Sequence, residues 1–152
     1  MWRDLLADVQ SLLSGYGFNL RKPATNQEIK KLQENAVLKL NGFVLPEQFI
    51  QFLMEVNGLD FDGLVIYGVD KPLLDEIEVE EDIHGFIETN EIWYENEWQK
   101  QFVFFGDSDI ALYCYDLTHK LYLELDKPSC TIMNTFGDFN ALLEDALKSR
   151  LE

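Results

Sequence analysis

Leu45-Pro46-Glu47-Gln48-Phe49-Ile50-Gln51-Phe52-Leu53-Met54-Glu55-Val56-Asn57-Gly58 is the stretch on which the fold turns. Proline is tolerated at the first turn of a helix, where its missing N–H has no partner to lose, so Pro46 marks a helix start. Phe49, Ile50, Phe52, Leu53 and Val56 make an apolar stripe too wide for a helix that covers a core on one side only. Asn57-Gly58 supplies a left-handed stop. The stretch predicts a helix packed on both flanks, organising the core and not forming the working surface.

Upstream the pattern stays helical. Trp2, Leu5, Leu6, Val9, Leu12 and Leu13 recur at the spacing of one helix face, and Gly15 and Gly17 end the run. Thr25-Asn26-Gln27-Glu28 matches a capping box, in which hydroxyl and carboxylate each satisfy an orphan N–H. Ile29, Leu32 and Ala36 then face inward, with Lys30 and Lys31 toward water. Residues 35–44 read two ways. Asn41-Gly42 is a turn, and Val37-Leu38 and Phe43-Val44 are either short extended pieces or a helix end and a loop.

Downstream the period changes. Leu64-Val65-Ile66-Tyr67 between Gly63 and Gly68 predicts an inner strand. Residues 86–98 predict a helix or helical turn beside the sheet, and four strands follow at 101–105, 110–115, 120–125 and 130–133. The connectors between them are short, which requires antiparallel neighbours. Thr135-Phe136-Gly137-Asp138 opens a last helix with a cap-like hydroxyl and an early acid. Phe139, Leu142, Leu143, Ala146 and Leu147 are its buried stripe. The expected class is α+β: N-terminal helices, an antiparallel-rich mixed β-sheet and a C-terminal helix, in a single domain over 1–152.

Composition excludes several functions. The chain has 152 residues, 47% of them hydrophobic, which is enough to bury a core. Twelve basic against twenty-eight acidic side chains give a formal charge of −16, the wrong sign for binding nucleic acid phosphates directly. It suits a basic partner, and equally it keeps a protein soluble. Cys114 and Cys130 form no zinc spacing or disulfide framework, so two thiols in a reducing compartment are expected. The amphipathic N-terminus is unlike a signal peptide, and no run nears the ~18 apolar residues of a membrane span. A cytoplasmic protein is expected.

Catalytic patterns fail in turn. His84 and His119 are the only imidazoles, neither beside a recognisable nucleophile. His119 falls in a hairpin turn, and His84 borders an acidic run. Asp60-Phe61-Asp62-Gly63 begins like a calcium loop, but Leu64 and Lys71 occupy later ligand positions. Asp107-Ser108-Asp109 reads as turn chemistry. Gly15-Tyr16-Gly17 lacks the rest of a dinucleotide loop. No enzyme, cofactor or metal is expected.

Two segments remain as a partner-binding surface. One is the acidic run of Asp75, Glu76, Glu78, Glu80, Glu81 and Asp82, whose like charges resist compact packing and would steer a basic protein. The other carries Trp93, Tyr94 and Trp98, ring types favoured as interface anchors. Each has a plainer reading: the acids are a solvated face and the rings pack on the sheet.

The order Leu45-Pro46, Phe49, Phe52-Leu53, Asn57-Gly58 resembles the SUKH superfamily, the Smi/Knr-like proteins. The capped helix before it, the glycine-bounded strand after it, the Phe105-Gly106-Asp107-Ser108-Asp109 and Tyr113-Cys114-Tyr115-Asp116 segments and the closing Phe136 with its Leu-rich helix are similar too. The stretch before Leu45 is longer than usual in that family, and the acidic insert after Asp70 does not align with it. The resemblance implies a bacterial immunity protein, an antitoxin binding a cognate and often nuclease toxin of a polymorphic or contact-dependent system. The alternative it implies is a non-catalytic regulatory or scaffold protein in cell-wall synthesis control. Neither role requires catalytic residues.

Overall fold

The computed structural model describes residues 1–75 and 84–151. Among these, five α-helices and six strands follow one another as α1 (Trp2–Gly15), α2 (Asn26–Lys39), α3 (Glu47–Leu53), β1 (Leu59–Phe61), β2 (Leu64–Ile66), α4 (Phe86–Trp93), β3 (Phe102–Asp107), β4 (Ala111–Asp116), β5 (Leu121–Asp126), β6 (Ile132–Phe136) and α5 (Phe139–Leu151). Short 3-10 turns at Lys71–Leu73 and Glu97–Gln101 flank α4. The class is α+β, with N-terminal helices, one sheet and a C-terminal helix.

The sheet is a meander in chain order, β1 through β6, and every neighbouring pair is antiparallel. The parallel component expected of a mixed sheet shrinks to one bridge, Gly68 beside Gly85. β1 and β2 form a hairpin turning on Asp62 (φ 49°) and Gly63 (φ 83°). This is the Asp-Gly pairing favoured when both central residues need positive φ. The rejected calcium loop is therefore a hairpin, and it adds a strand that three residues were too few to announce.

The ambiguity at 35–44 resolves as helix and loop. α2 runs to Lys39, and Asn41 (φ 53°) and Gly42 (φ 77°) turn left-handed. The Gly42 N–H reaches back to the Val37 carbonyl at 2.9 Å, the long bond of a Schellman ending. At the other end the capping box is complete: Glu28 N–H donates to the Thr25 hydroxyl and Thr25 N–H to the Glu28 carboxylate.

Three helix boundaries move. α3 stops at Leu53, four residues before Asn57, and the freed Leu53 carbonyl accepts from the Ala24 N–H. Thr135 and Phe136 finish β6 instead of opening α5. The first turn of α5 is capped by Asp138, which accepts from the Ala141 N–H at 2.9 Å, while Gln48 of α3 accepts from the Asn140 N–H. The helix or helical turn expected over 86–98 divides into both: α4 ends at Trp93 and gives way to the 3-10 turn.

α3 does sit at the centre. The Phe49 ring lies 4.9 Å from Phe105, 5.2 Å from Phe86 and 5.4 Å from Phe139, joining sheet, α4 and α5. Phe52 packs edge-on against Trp2 of α1. Phe49, Phe52, Leu53 and Val56 are completely buried. Aromatic burial on this scale supplies the main driving force, each ring contributing on the order of 2–3 kcal/mol.

β2 ends at Ile66, so among the described residues no strand pairs with β3 on that side beyond it, while β4 stays paired on the other. The Tyr67 N–H still reaches the Phe105 carbonyl. Beyond it, the fully buried Asn90 of α4 takes over: Phe104 N–H donates to its side-chain oxygen (2.7 Å), and its amide nitrogen donates to the Phe104 (2.9 Å) and Phe86 (2.8 Å) carbonyls. One side chain thus does what a strand would. Replacing Asn90 with Leu leaves two buried Phe104 groups unpaired and should cost about 3 kcal/mol in urea unfolding. A loss below about 1 kcal/mol would mean that water reaches Phe104 in its place.

Candidate partner-binding surface

Of the acidic run, Asp75 is described; Glu76, Glu78, Glu80, Glu81 and Asp82 lie outside the described residues. Asp75 accepts from the Thr25 hydroxyl at 2.8 Å, and Lys31 approaches it at 3.5 Å. Its N–H donates to the buried Glu28 carboxylate at 2.9 Å. The run therefore starts from a point fastened to the N-terminus of α2. On its far side the Gly68 N–H donates to the His84 carbonyl, and Phe86 N–H to the Gly68 carbonyl.

The aromatic segment divides. Trp93 is half-buried on Phe104 (5.6 Å between centroids), and its indole N–H donates to the Tyr67 hydroxyl at 3.1 Å. That hydroxyl in turn donates to Asp107, and burial followed by the Asp107 charge holds its own proton well above the usual phenol range. The Tyr94 hydroxyl donates to the Phe102 carbonyl at 2.6 Å, and burial pushes its pKa up to about 12. Trp98 lies differently. It is 49% exposed, stands edge-on to Phe102, and shares its stretch with exposed Ile92 and the exposed acids Glu88, Glu91, Glu95 and Glu97.

A second surface went unread in the sequence. Leu40, Asn41, Gly42, Phe43, Val44 and Pro46 face Tyr115, Leu117, Lys120 and Tyr122 across an open groove of about 800 Å³. Tyr115 and Tyr122 lie 4.8 Å apart at its floor. Val44, Leu38 and Val37 are exposed nearby in sequence. Those three apolar residues outside the helical stripe were the available signal, obscured because the end of α2 was ambiguous.

The turn acids do structural work, and the His119 ring joins one of them. The Asp116 carboxylate accepts from the Thr118 and His119 N–H groups and meets the exposed His119 ring at 2.7 Å. Burial alone would raise its pKa, but these bonds hold it below the usual range. Lys127 reaches Asp107, and Arg150 ties Asp109 to the Asp62 carbonyl. Gly106 is required because a Cβ there would lie 2.5 Å from the Val65 carbonyl. Among the described residues no group of three or more His, Cys, Asp and Glu side chains is placed to hold a metal ion, and no helix is long and apolar enough to cross a membrane. Cys114 is buried and Cys130 half-buried, both free, and burial raises both thiol pKa values.

Trp93 and Trp98 can be separated experimentally. Trp93→Ala should cost about 3 kcal/mol of stability, Trp98→Ala no more than about 1 kcal/mol, so any binding defect in the second is a surface effect. Equal costs by chemical denaturation would refute that division.

Glu124 gives a pH test. Burial raises its carboxyl pKa against the opposing bond from Asn134, and Asp145 adds to the rise. A raised folded pKa means that ionisation weakens the fold as pH climbs from the ordinary glutamate range through the folded value. Glu124→Gln, which mimics the protonated acid, should therefore be more stable than the parent at pH 7, with the gain vanishing toward pH 4. A gain that persists at low pH would assign the effect to packing.

With the geometry in hand, comparison with the curated proteins finds no match. The sequence profile of the SMI1 / KNR4 family (SUKH-1), by contrast, matches residues 23–144, from just before the capped α2 into α5. That span takes in α3 with its Phe49 cluster and all six strands, and the chain belongs to the SMI1 / KNR4 family (SUKH-1).

Proposed function

We propose that this chain is an immunity protein: a non-catalytic, cytoplasmic antitoxin that binds and neutralises a basic toxin domain, such as a nuclease, of a polymorphic or contact-dependent system. Membership of the SMI1 / KNR4 family carries the reading. The formal charge of −16 supports it, because an acidic inhibitor meets a cationic enzyme quickly through long-range attraction. The residues proposed to face the toxin are Trp98 with the exposed acids beside it and the acidic run that starts at Asp75. Trp93 and Tyr94 set the position of that surface through their bonds to Tyr67 and Phe102.

Co-expression with the toxin domain encoded beside its gene is the direct test. The chain should restore growth, and the purified complex should weaken about tenfold or more as salt rises from ~0.05 to ~0.5 M, since exposed attraction is screened over ~10 Å at 0.1 M. Cell death with no complex at low salt overturns the proposal for that pair. An affinity indifferent to salt would leave the acids as solvation only.

A further inference from the structure

The sheet has two edges, and the chain treats them differently. β1 is three residues long and carries Asp60, with Asp62 in its turn. Short length and charge are the usual means of keeping an edge from pairing with other chains. β6 has no such protection. Its residues 132–135 are exposed, Ile132 at 61% and Met133 at 45%. Thr131-Ile132-Met133-Asn134-Thr135-Phe136 holds no charge and no proline, in a chain that is 26% charged. Among the described residues β6 pairs only with β5, so alternate N–H and C=O groups along it point outward. One bulge falls at Met133, between the Asn134–Glu124 and Ile132–Leu125 pairs. It bends the edge against open-ended stacking of copies and leaves 134–136 regular.

The surroundings select an occupant. Glu124 lies behind Asn134, Asp145 adds its charge there, and Asp126 and Asp138 stand near the two ends of the strand. The basic side chains of α5 are already committed, Lys148 to Glu144 and Arg150 to Asp109. A second copy paired two-fold through β6 would bring these acids against their own counterparts. A strand bearing lysine or arginine would meet them favourably.

We infer that β6 is a docking edge for an extended, cationic segment of a protein partner, added as a seventh strand along residues 131–136. Backbone bonds would hold the segment and the flanking acids would select its charge. The inference rests on the toxin-binding reading for the partner's identity and on the edge itself for the chemistry.

The probe is a short peptide alternating lysine with valine, titrated against the full chain and followed by backbone amide NMR. Binding at about 1 mM or tighter, with shifts centred on 131–136, is expected. Of two peptides N-methylated on odd or on even residues, one should bind like the parent and the other about tenfold more weakly, because only one pattern removes the donors facing β6. A peptide with glutamate in place of lysine should not bind. Unmoved 131–136 amides, or equal binding by the two methylated forms, overturns the inference. So does a dimer formed through β6 without peptide, which would make a second copy the occupant. Failure here with intact protection from the toxin removes the docking edge alone. Lost protection with the peptide result intact removes the toxin reading alone.

Discussion

Where β2 stops, β3 still has backbone groups to satisfy, and much of the fold follows from how that is done. The Asn90 amide stands in for the missing strand. α4 must then be held at a fixed height, and Asp70 does this, its carboxylate accepting from the Ile87 (3.0 Å) and Glu88 (2.8 Å) N–H groups at the helix start. Asp70 is placed in turn by Asn57, whose side-chain oxygen accepts from the Val69 N–H at 2.8 Å. Gly68 and Gly85 allow the close approach: a Cβ on Gly68 would lie 2.7 Å from the Asn57 side chain, and one on Gly85 would collide with the Asp70 carboxylate. Three short polar side chains, each completing backbone that no regular element completes, link the end of α3 to the middle of the sheet. The Asn57-Gly58 pair that reads as a helix stop is the first member of that relay.

This explains what was legible in the residues. Periodicity found α1, α3, α5 and the strands from β3 onward, since an apolar stripe leaves its mark whatever it packs against. The Thr25–Glu28 cap was equally visible because both partners lie within four residues. The bonds of Asp70 to Ile87 and Glu88 and of Asn90 to Phe104 span fourteen to eighteen residues, and nothing local announces them. For the candidate surface the limit is different. Tryptophan and tyrosine in 93–98 could be read as anchors, but which ring turns inward depends on the Tyr67 hydroxyl, a residue supplied by a distant segment. Likewise the strand at β6 was legible, whereas its place at the edge is a property of topology.

The acids deserve the same separation. Glu28, Asp70 and Asp138 accept backbone N–H groups at helix starts, and Asp116 and Asp126 do so in turns. Part of the −16 is therefore structural. These groups also oppose one another in their response to pH. Asp116 and Asp126, with pKa values held down, lend stability that is lost as pH falls through their folded values. Asp70 and Glu124, raised by burial, weaken the fold as pH rises from the ordinary carboxylate range through theirs. The two windows lie on opposite sides of the ordinary carboxylate range, so the effects do not cancel: what these groups contribute to stability is greatest near that range and declines on either side of it.

In the proposed complex, attraction and attachment fall to different parts of the surface. Long-range steering needs charge but no particular geometry, whereas a lasting complex needs rings or backbone placed to fit. Strand register shows where such fit is available. Phe102, under Trp98, pairs with Asp116, which pairs with Leu121; the next residue, Tyr122, pairs with Phe136 at the end of β6. Trp98 and β6 therefore share one end of the sheet, about 15 Å apart at the usual strand spacing. Exposed Leu117 and Leu121 lie along that end, while the Tyr115–Tyr122 groove opens on the sheet face opposite to Phe102. A protein interface of ordinary size is wide enough to cover that whole end. On this geometry the exposed Glu88 and Glu91 of α4 would draw the proposed cationic partner toward the end of the sheet where Trp98 and the open strand would hold it.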